Sequence, residues 1–201
     1  MKGKQLFILS ASIVLLHFFA APGISCVGRT LTIAHDKSVD QQVMSRILAV
    51  FIQERTGTTI NLVEAADVNA SRKMVEQEKA DIYMSYLATG LTDTGGEKGE
   101  NSQESYSLVK QHYLQQLNMV WLKPFGYKGP ITTTSGAGNN QSMASAVATR
   151  KTLERFPILE RVINKLDGLI DEKTLTELKE KAGKKDIKGV VKKYLKSRNM
   201  I

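Results

Sequence analysis

Between residues 29 and 86 the chain keeps one cadence, strand then helix then strand, and the gaps within it are very short. "RTLTIAHD" (29–36) alternates at period two and is rich in β-branched residues, which predicts a strand. Ser38 and Asp40 offer N-caps for "QQVMSRILAVFIQERTG", where Val43, Ile47, Val50 and Phe51 share one helical face and Gly57 closes the helix. "TTINLVEA" (58–65) predicts a second strand, "NASRKMVEQEKA" (69–80) a short polar helix, and "DIYMSY" (81–86) a third strand. Connections this short fit only βαβ units, so the fold class is α/β with a mostly parallel sheet flanked by helices.

The later chain is less regular. "TDTGGEKGENSQ" predicts a loop, a helix resumes from Glu104 to Leu117, and "MVWL" predicts another strand before the breaker run "KPFGYKGP". Residues 132–142, "TTTSGAGNNQS", are polar and low in complexity and read as a linker. "MASAVATR" is strand-like. "KTLERFPILERVINKLDG" is a helix or a pair bent at Pro157, and two more helices follow, capped by Asp171 and Asp186 with Gly183 between them. With 42% apolar and 24% charged residues in 201, the chain can build one substantial core, hence one domain.

The amino terminus reads as an address. Lys2 and Lys4 precede an apolar run from Leu6 to Ala21 that ends in small residues, the pattern of a secretory signal peptide over residues 1–25. The competing reading is a membrane anchor, but the run falls short of the ~20 residues a spanning helix needs and His17 interrupts it. Cys26 is the single cysteine, so no disulfide can form within the chain. It is also a candidate lipidation site, although Gly23, Ile24 and Ser25 before it lack the large apolar residue of a lipoprotein signal. The placement expected is periplasmic or otherwise extracytoplasmic, with a lipid anchor as the variant.

Several chemistries are excluded by what is missing. His35 and His112 are the only histidines beyond the leader, and no serine sits in a Gly-x-Ser-x-Gly elbow. No His, Cys or carboxylate cluster has metal-ligand spacing, and no cofactor motif is present. The formal charge of +8 is concentrated in "KEKAGKKDIKGVVKKYLKSR", where Tyr194 is the only aromatic, so nucleic acid is not the expected partner. The chain is not expected to be an enzyme. Aromatic side chains remain: Tyr83, Tyr86, Tyr106, Tyr113, Trp121, Phe125, Tyr127 and Tyr194. Ring faces hold a quaternary ammonium, which has no hydrogen-bond donor of its own. Tyr83, Tyr113 and Trp121 read as core. Tyr86 stands where the third strand ends, the edge at which α/β sheets gather ligands, and "TGLTD" beyond it reads as a loop on the rim of a cleft.

Four segments carry a resemblance: "HDKSVDQQVMSRILAVFIQERTG", "ADIYMSYLATGLT", "ESYSLVKQHYLQQLNMVWLKPFGYKG" and "ASAVATRKTLERFPILERVINKLDGLIDEKTLTELKEK". In order and over nearly all of 30–201 they resemble the substrate-binding proteins of glycine betaine, choline and proline-betaine ABC transporters. The resemblance implies a periplasmic-binding-protein (type 2) fold of two α/β lobes with an aromatic cage for a quaternary amine between them. It also implies an ABC permease as the partner receiving the ligand.

Three departures qualify it. The segments matching the two crossings into the second lobe are joined here by "TTTSGAGNNQSM", too short for a lobe, so residues 26–201 are expected to form a single lobe with 132–142 as linker. The family pattern Glu-Tyr-Thr-Gly-Thr-Gly-Leu-Thr is read here from Ser85 to Thr92, keeping the tyrosine at Tyr86 and changing its neighbours. A second cage tyrosine is replaced in the run Lys128-Gly129-Pro130-Ile131, and isoleucine has no π face. The resemblance thus implies a half-cleft around Lys37, Ser38, Gln42, Tyr86 and Thr89 that binds glycine betaine, choline or a similar solute weakly. Completion by a homodimer or a partner protein at the exposed cleft face is one consequence. The alternative is an interaction or sensor module that kept the fold and lost the ligand.

Overall fold

The computed structural model describes residues 29–96, 99–127, 143–183 and 186–201. Strand β1 (Thr30–His35) leads into helix α1 (Val39–Thr56), and β2 (Thr59–Glu64) pairs parallel to β1 from Thr30↔Thr59 to His35↔Glu64. Ser38 accepts the Gln41 amide at the start of α1, and Gly57 ends it in the left-handed region at φ 70°, both as the residue types dictate. Helix α2 (Val68–Glu76) starts on Asp67, whose side chain accepts the Ala70 amide, and returns the chain to β3 (Ile82–Tyr86), parallel to β1.

Beyond β3 the structure corrects the sequence. "TGLTD" (89–93), expected as a rim loop, lies within a helix, α3 (Leu87–Asp93), that begins on Tyr86 without an intervening turn. Leu87, Gly90 and Leu91 are buried, an i, i+3, i+4 set that one helical face can satisfy and a loop cannot. Gly90 permits the contact. A Cβ there would stand 2.5 Å from Val109 Cγ1 and 2.9 Å from the Trp121 ring.

Helix α4 (Ser102–Gln116), capped by Asn101, crosses to β4 (Met119–Trp121), and β5 (Ala144–Thr149) follows. Among the described residues the sheet has five strands in the order β2-β1-β3-β5-β4, and β5 runs antiparallel to both β3 and β4. The expected mostly parallel sheet is therefore mixed. β3 and β4 point the same way, and β5 between them runs opposite to both. Helices α5 (Arg150–Arg155) and α6 (Leu159–Ile163) are the bent pair broken around Pro157. Helices α7 (Glu172–Ala182) and α8 (Ile187–Ser197) start on Asp171 and Asp186 as expected.

Alternation along the strands sends side chains to two cores. Ile82, Met84 and Tyr86, with Ala144, Ala146 and Ala148, join Leu31 and Ile33 against α1, α6, α7 and α8. Tyr83, Val147 and Trp121 join Val75, Leu87, Leu91, Tyr106, Val109 and Tyr113 on the other face, under α2, α3 and α4. Tyr83, Tyr113 and Trp121 are fully buried, as the core reading requires. The candidate signal peptide, Cys26, the linker 132–142 and the Ile131 departure lie outside the described residues.

Candidate functional site at the carboxyl edge of the sheet

β1, β2, β3 and β4 all end at one edge of the sheet, and β5 starts there. The turn after β1 is built by its own polar groups. Asp36 Oδ1 accepts the Ser38 amide at 2.8 Å, and Gln41 Oε1 accepts the Asp36 amide at 3.1 Å. Gln41 Nε2 then donates to the Met84 carbonyl at 3.3 Å, stapling the turn to the end of β3. Gln42 Nε2 donates to the Lys37 carbonyl at 3.1 Å. Lys37 and Ser38 are exposed and Gln42 is half-buried, so three of the expected site residues share this turn.

Tyr86 sits beside them at the end of β3. It is 6% exposed, and its ring meets Tyr127 edge-to-face at 6.5 Å between centroids and 86° between planes. Tyr127 in turn stacks on Phe125 at 6.5 Å and 8°. The Leu87 amide donates to the Met143 carbonyl at 2.8 Å and the Ala144 amide to the Tyr127 carbonyl at 3.3 Å, which fixes Tyr86 and Tyr127 to the same strand end. Gly126 lets the chain turn between the two rings at φ 115°, where its α-carbon faces the Gly168 backbone too closely for a side chain. Thr89 is half-buried on α3 and, among the described residues, makes no hydrogen bond to the β1–α1 turn.

Charge at this edge is mixed. Asp40, in the first turn of α1, pairs with Lys179 of α7 at 2.5 Å. Burial, and then the charge of Asp36, push the Tyr86 hydroxyl up to about 12. Burial pushes Tyr127 well up too. Among the described residues no well-formed hydrogen bond reaches the buried hydroxyls of Tyr86 and Tyr127, although they lie near each other and Gln41 lies near that of Tyr86. No group of three or more His, Cys, Asp or Glu among the described residues is placed to hold a metal ion.

Residue-by-residue reasoning undervalued Tyr127, Gln41 and Asp36. Tyr127 stood among the aromatics but follows a breaker run, so nothing local linked it to Tyr86. Gln41 and Asp36 had a weak signal, an Asp-x-Ser turn closing a strand, without any hint of the staple to Met84.

The molecule is an α/β layer with a built turn and an aromatic pair at the carboxyl edge of its sheet, and its fold is shared with solved transport proteins. A solved "glycine betaine/carnitine/choline ABC transporter" is similar over 86% of this chain and 98% of its own, with a TM-score of 0.75 at 15% identity. Apo YehZ from Escherichia coli is similar over 86% of this chain and 99% of its own, at 0.72 and 12%. The lactococcal glycine betaine-bound OpuAC gives 0.56 at 9% identity, over 85% of this chain and 96% of its own. No curated protein sequence matches. Residues 29–133 match the substrate-binding domain of ABC-type glycine betaine transport systems, and the chain belongs to that family. The family is one of transport components, which bears out the expectation that the chain is not an enzyme.

Proposed function

We propose that the chain is an extracytoplasmic solute-binding module, a single lobe over residues 26–201 preceded by an export signal, that takes up a small quaternary amine weakly or together with a second lobe supplied by a partner. The observation that carries this is the position of Tyr86. It closes β3 at the carboxyl edge of the sheet in a family of glycine betaine transport components, with Tyr127 as a second ring, and in this reading Lys37, Ser38, Gln42 and Thr89 complete the half-cleft. An ABC permease is the receiving partner in this account. No helix among the described residues is long and apolar enough to cross a membrane.

Affinity follows from the geometry. A cation that reaches only the solvent-side part of one ring gains no more than ~0.5–1 kcal/mol, against several kcal/mol lost on association, which gives roughly millimolar binding or weaker. Calorimetry with glycine betaine, choline and carnitine tests this. Heat of binding saturating in the millimolar range and abolished by Tyr86→Ala is expected. No heat at that concentration overturns solute capture by the lone lobe.

One observation favours a second reading, a module that kept the fold for contact with another protein. Tyr86 already spends its surface on Tyr127 and is 6% exposed, so little ring face is free for a cation. Sedimentation separates the two. A monomer that binds choline supports capture, and a dimer indifferent to choline supports the contact role.

A further inference from the structure

Helix α3 begins on Tyr86 and carries Thr89, yet little in its own sequence holds it. It has seven residues, no side-chain cap at its start, and an aspartate at its carboxyl end, where the helix dipole opposes negative charge. Its neighbours supply the rest. Arg72 Nη1 of α2 stands 2.7 Å from Asp93 Oδ2, and both side chains are 21% exposed. The Tyr113 hydroxyl of α4 donates to the same Oδ2. Glu76 Oε1 lies 3.4 Å from Arg72 Nε, an ion pair that lacks hydrogen-bond geometry among the described residues. Tyr113 is fully buried and edges onto Trp121 at 5.3 Å and 79°, and Trp121 is the ring on which Gly90 rests.

Asp93 is thus gripped from two other helices through one oxygen. A surface ion pair contributes little, but a half-covered one that also receives a phenol sits in the stronger class of charge-assisted hydrogen bonds. The acid that weakens α3 as an isolated helix is the group that fastens it to α2 and α4.

We propose that Asp93, with Arg72 and Tyr113, is a positioning clamp that seats α3 and thereby orients Tyr86 and Thr89 at the carboxyl edge of the sheet. The consequence for ligand rests on the proposed binding role of Tyr86. The seating of α3 does not.

Hydrogen exchange on the full chain without ligand tests the clamp. Asp93→Asn is expected to speed amide exchange at Leu91–Thr94, the amides bonded within α3, by roughly tenfold or more, the loss of one charged hydrogen bond. Amides of β1 and α1 should stay within about twofold of wild type. Tyr113→Phe keeps the ring on Trp121 and should give the same local effect at smaller size, and Arg72→Lys, which keeps the charge, should recover most of the protection. Unchanged exchange in α3, or a rise shared equally by β1 and α1, overturns the clamp and leaves an ordinary stabilising contact. A choline titration of the same variants is read separately. If wild type binds, Asp93→Asn should weaken binding severalfold. If wild type does not bind, the solute role fails while the exchange result still decides the clamp.

Discussion

Tyr83 and Tyr86 lie three residues apart on one strand and belong to different proteins in miniature. Tyr83 enters the face under α2, α3 and α4, where it meets Tyr113 and Trp121 in a dense aromatic core. Tyr86 enters the face under α1 and the carboxyl-terminal helices, a mainly aliphatic core, and does so at its edge, where the strands stop. The first face is closed by rings, a glycine contact and the Asp93 clamp. The second is closed by Leu, Ile and Val in bulk and finished at the edge by Tyr86, Tyr127 and Phe125. The difference teaches what parity and a strand end do to one residue type: Tyr83 fills a core, and Tyr86 finishes an edge.

The largest expected effect breaks the aromatic face outright. Trp121→Ala removes the ring that Tyr106, Tyr113 and Gly90 all touch, and should cost about 3–5 kcal/mol in urea unfolding. Loss below about 1 kcal/mol would mean that this face is not the rigid one. Gly90→Ala comes next. A better helix former gains at most ~1 kcal/mol, but the added Cβ meets Val109 and Trp121 inside contact distance, for a net loss of roughly 1–3 kcal/mol. A stabilised Gly90→Ala protein would show that α3 does not press on Trp121.

Ser38→Ala probes the other face at its edge. Losing the cap on α1 should cost about 1 kcal/mol in thermal unfolding. Tyr86→Phe is expected to be mild at neutral pH, within ~1 kcal/mol, because among the described residues the deleted hydroxyl makes no well-formed hydrogen bond. Its effect should appear in alkali. A phenol whose folded value is raised to about 12 stays protonated in the folded state after the unfolded chain has ionised near 10. Its contribution is whole below pH 10 and is lost as pH rises towards 12, so stability falls across that window. Unfolding followed between those pH values should show a shallower fall for Tyr86→Phe than for wild type.

The strand-helix cadence up to Tyr86 was legible because each element there carries its own signal: alternation in β1, a cap and an apolar face in α1, Gly57 at its end. The caps Asp171 and Asp186 were legible for the same reason. α3 was not, because its determinant is distant. "ATGLTD" has turn-forming composition, and what favours a helix there lies elsewhere in the chain, in the surfaces of Val109 and Trp121 and the partners of Asp93. The direction of β5 was equally hidden, since a strand's sense is set by the sheet slot it enters and leaves no mark on "ASAVAT". At the candidate site Tyr86 could be chosen from its place at a strand end, whereas Tyr127 became visible only once Gly126 had folded it back against Tyr86.

The central claim is that one tyrosine of this pair is a ligand wall and the other is core. NMR of ring-labelled tyrosines during a choline titration measures that directly. The account predicts saturable shifts of the Tyr86 and Tyr127 rings at roughly millimolar choline with Tyr83 and Tyr113 unmoved. A Tyr86 ring that stays still, or a Tyr83 ring that shifts as much, would contradict it.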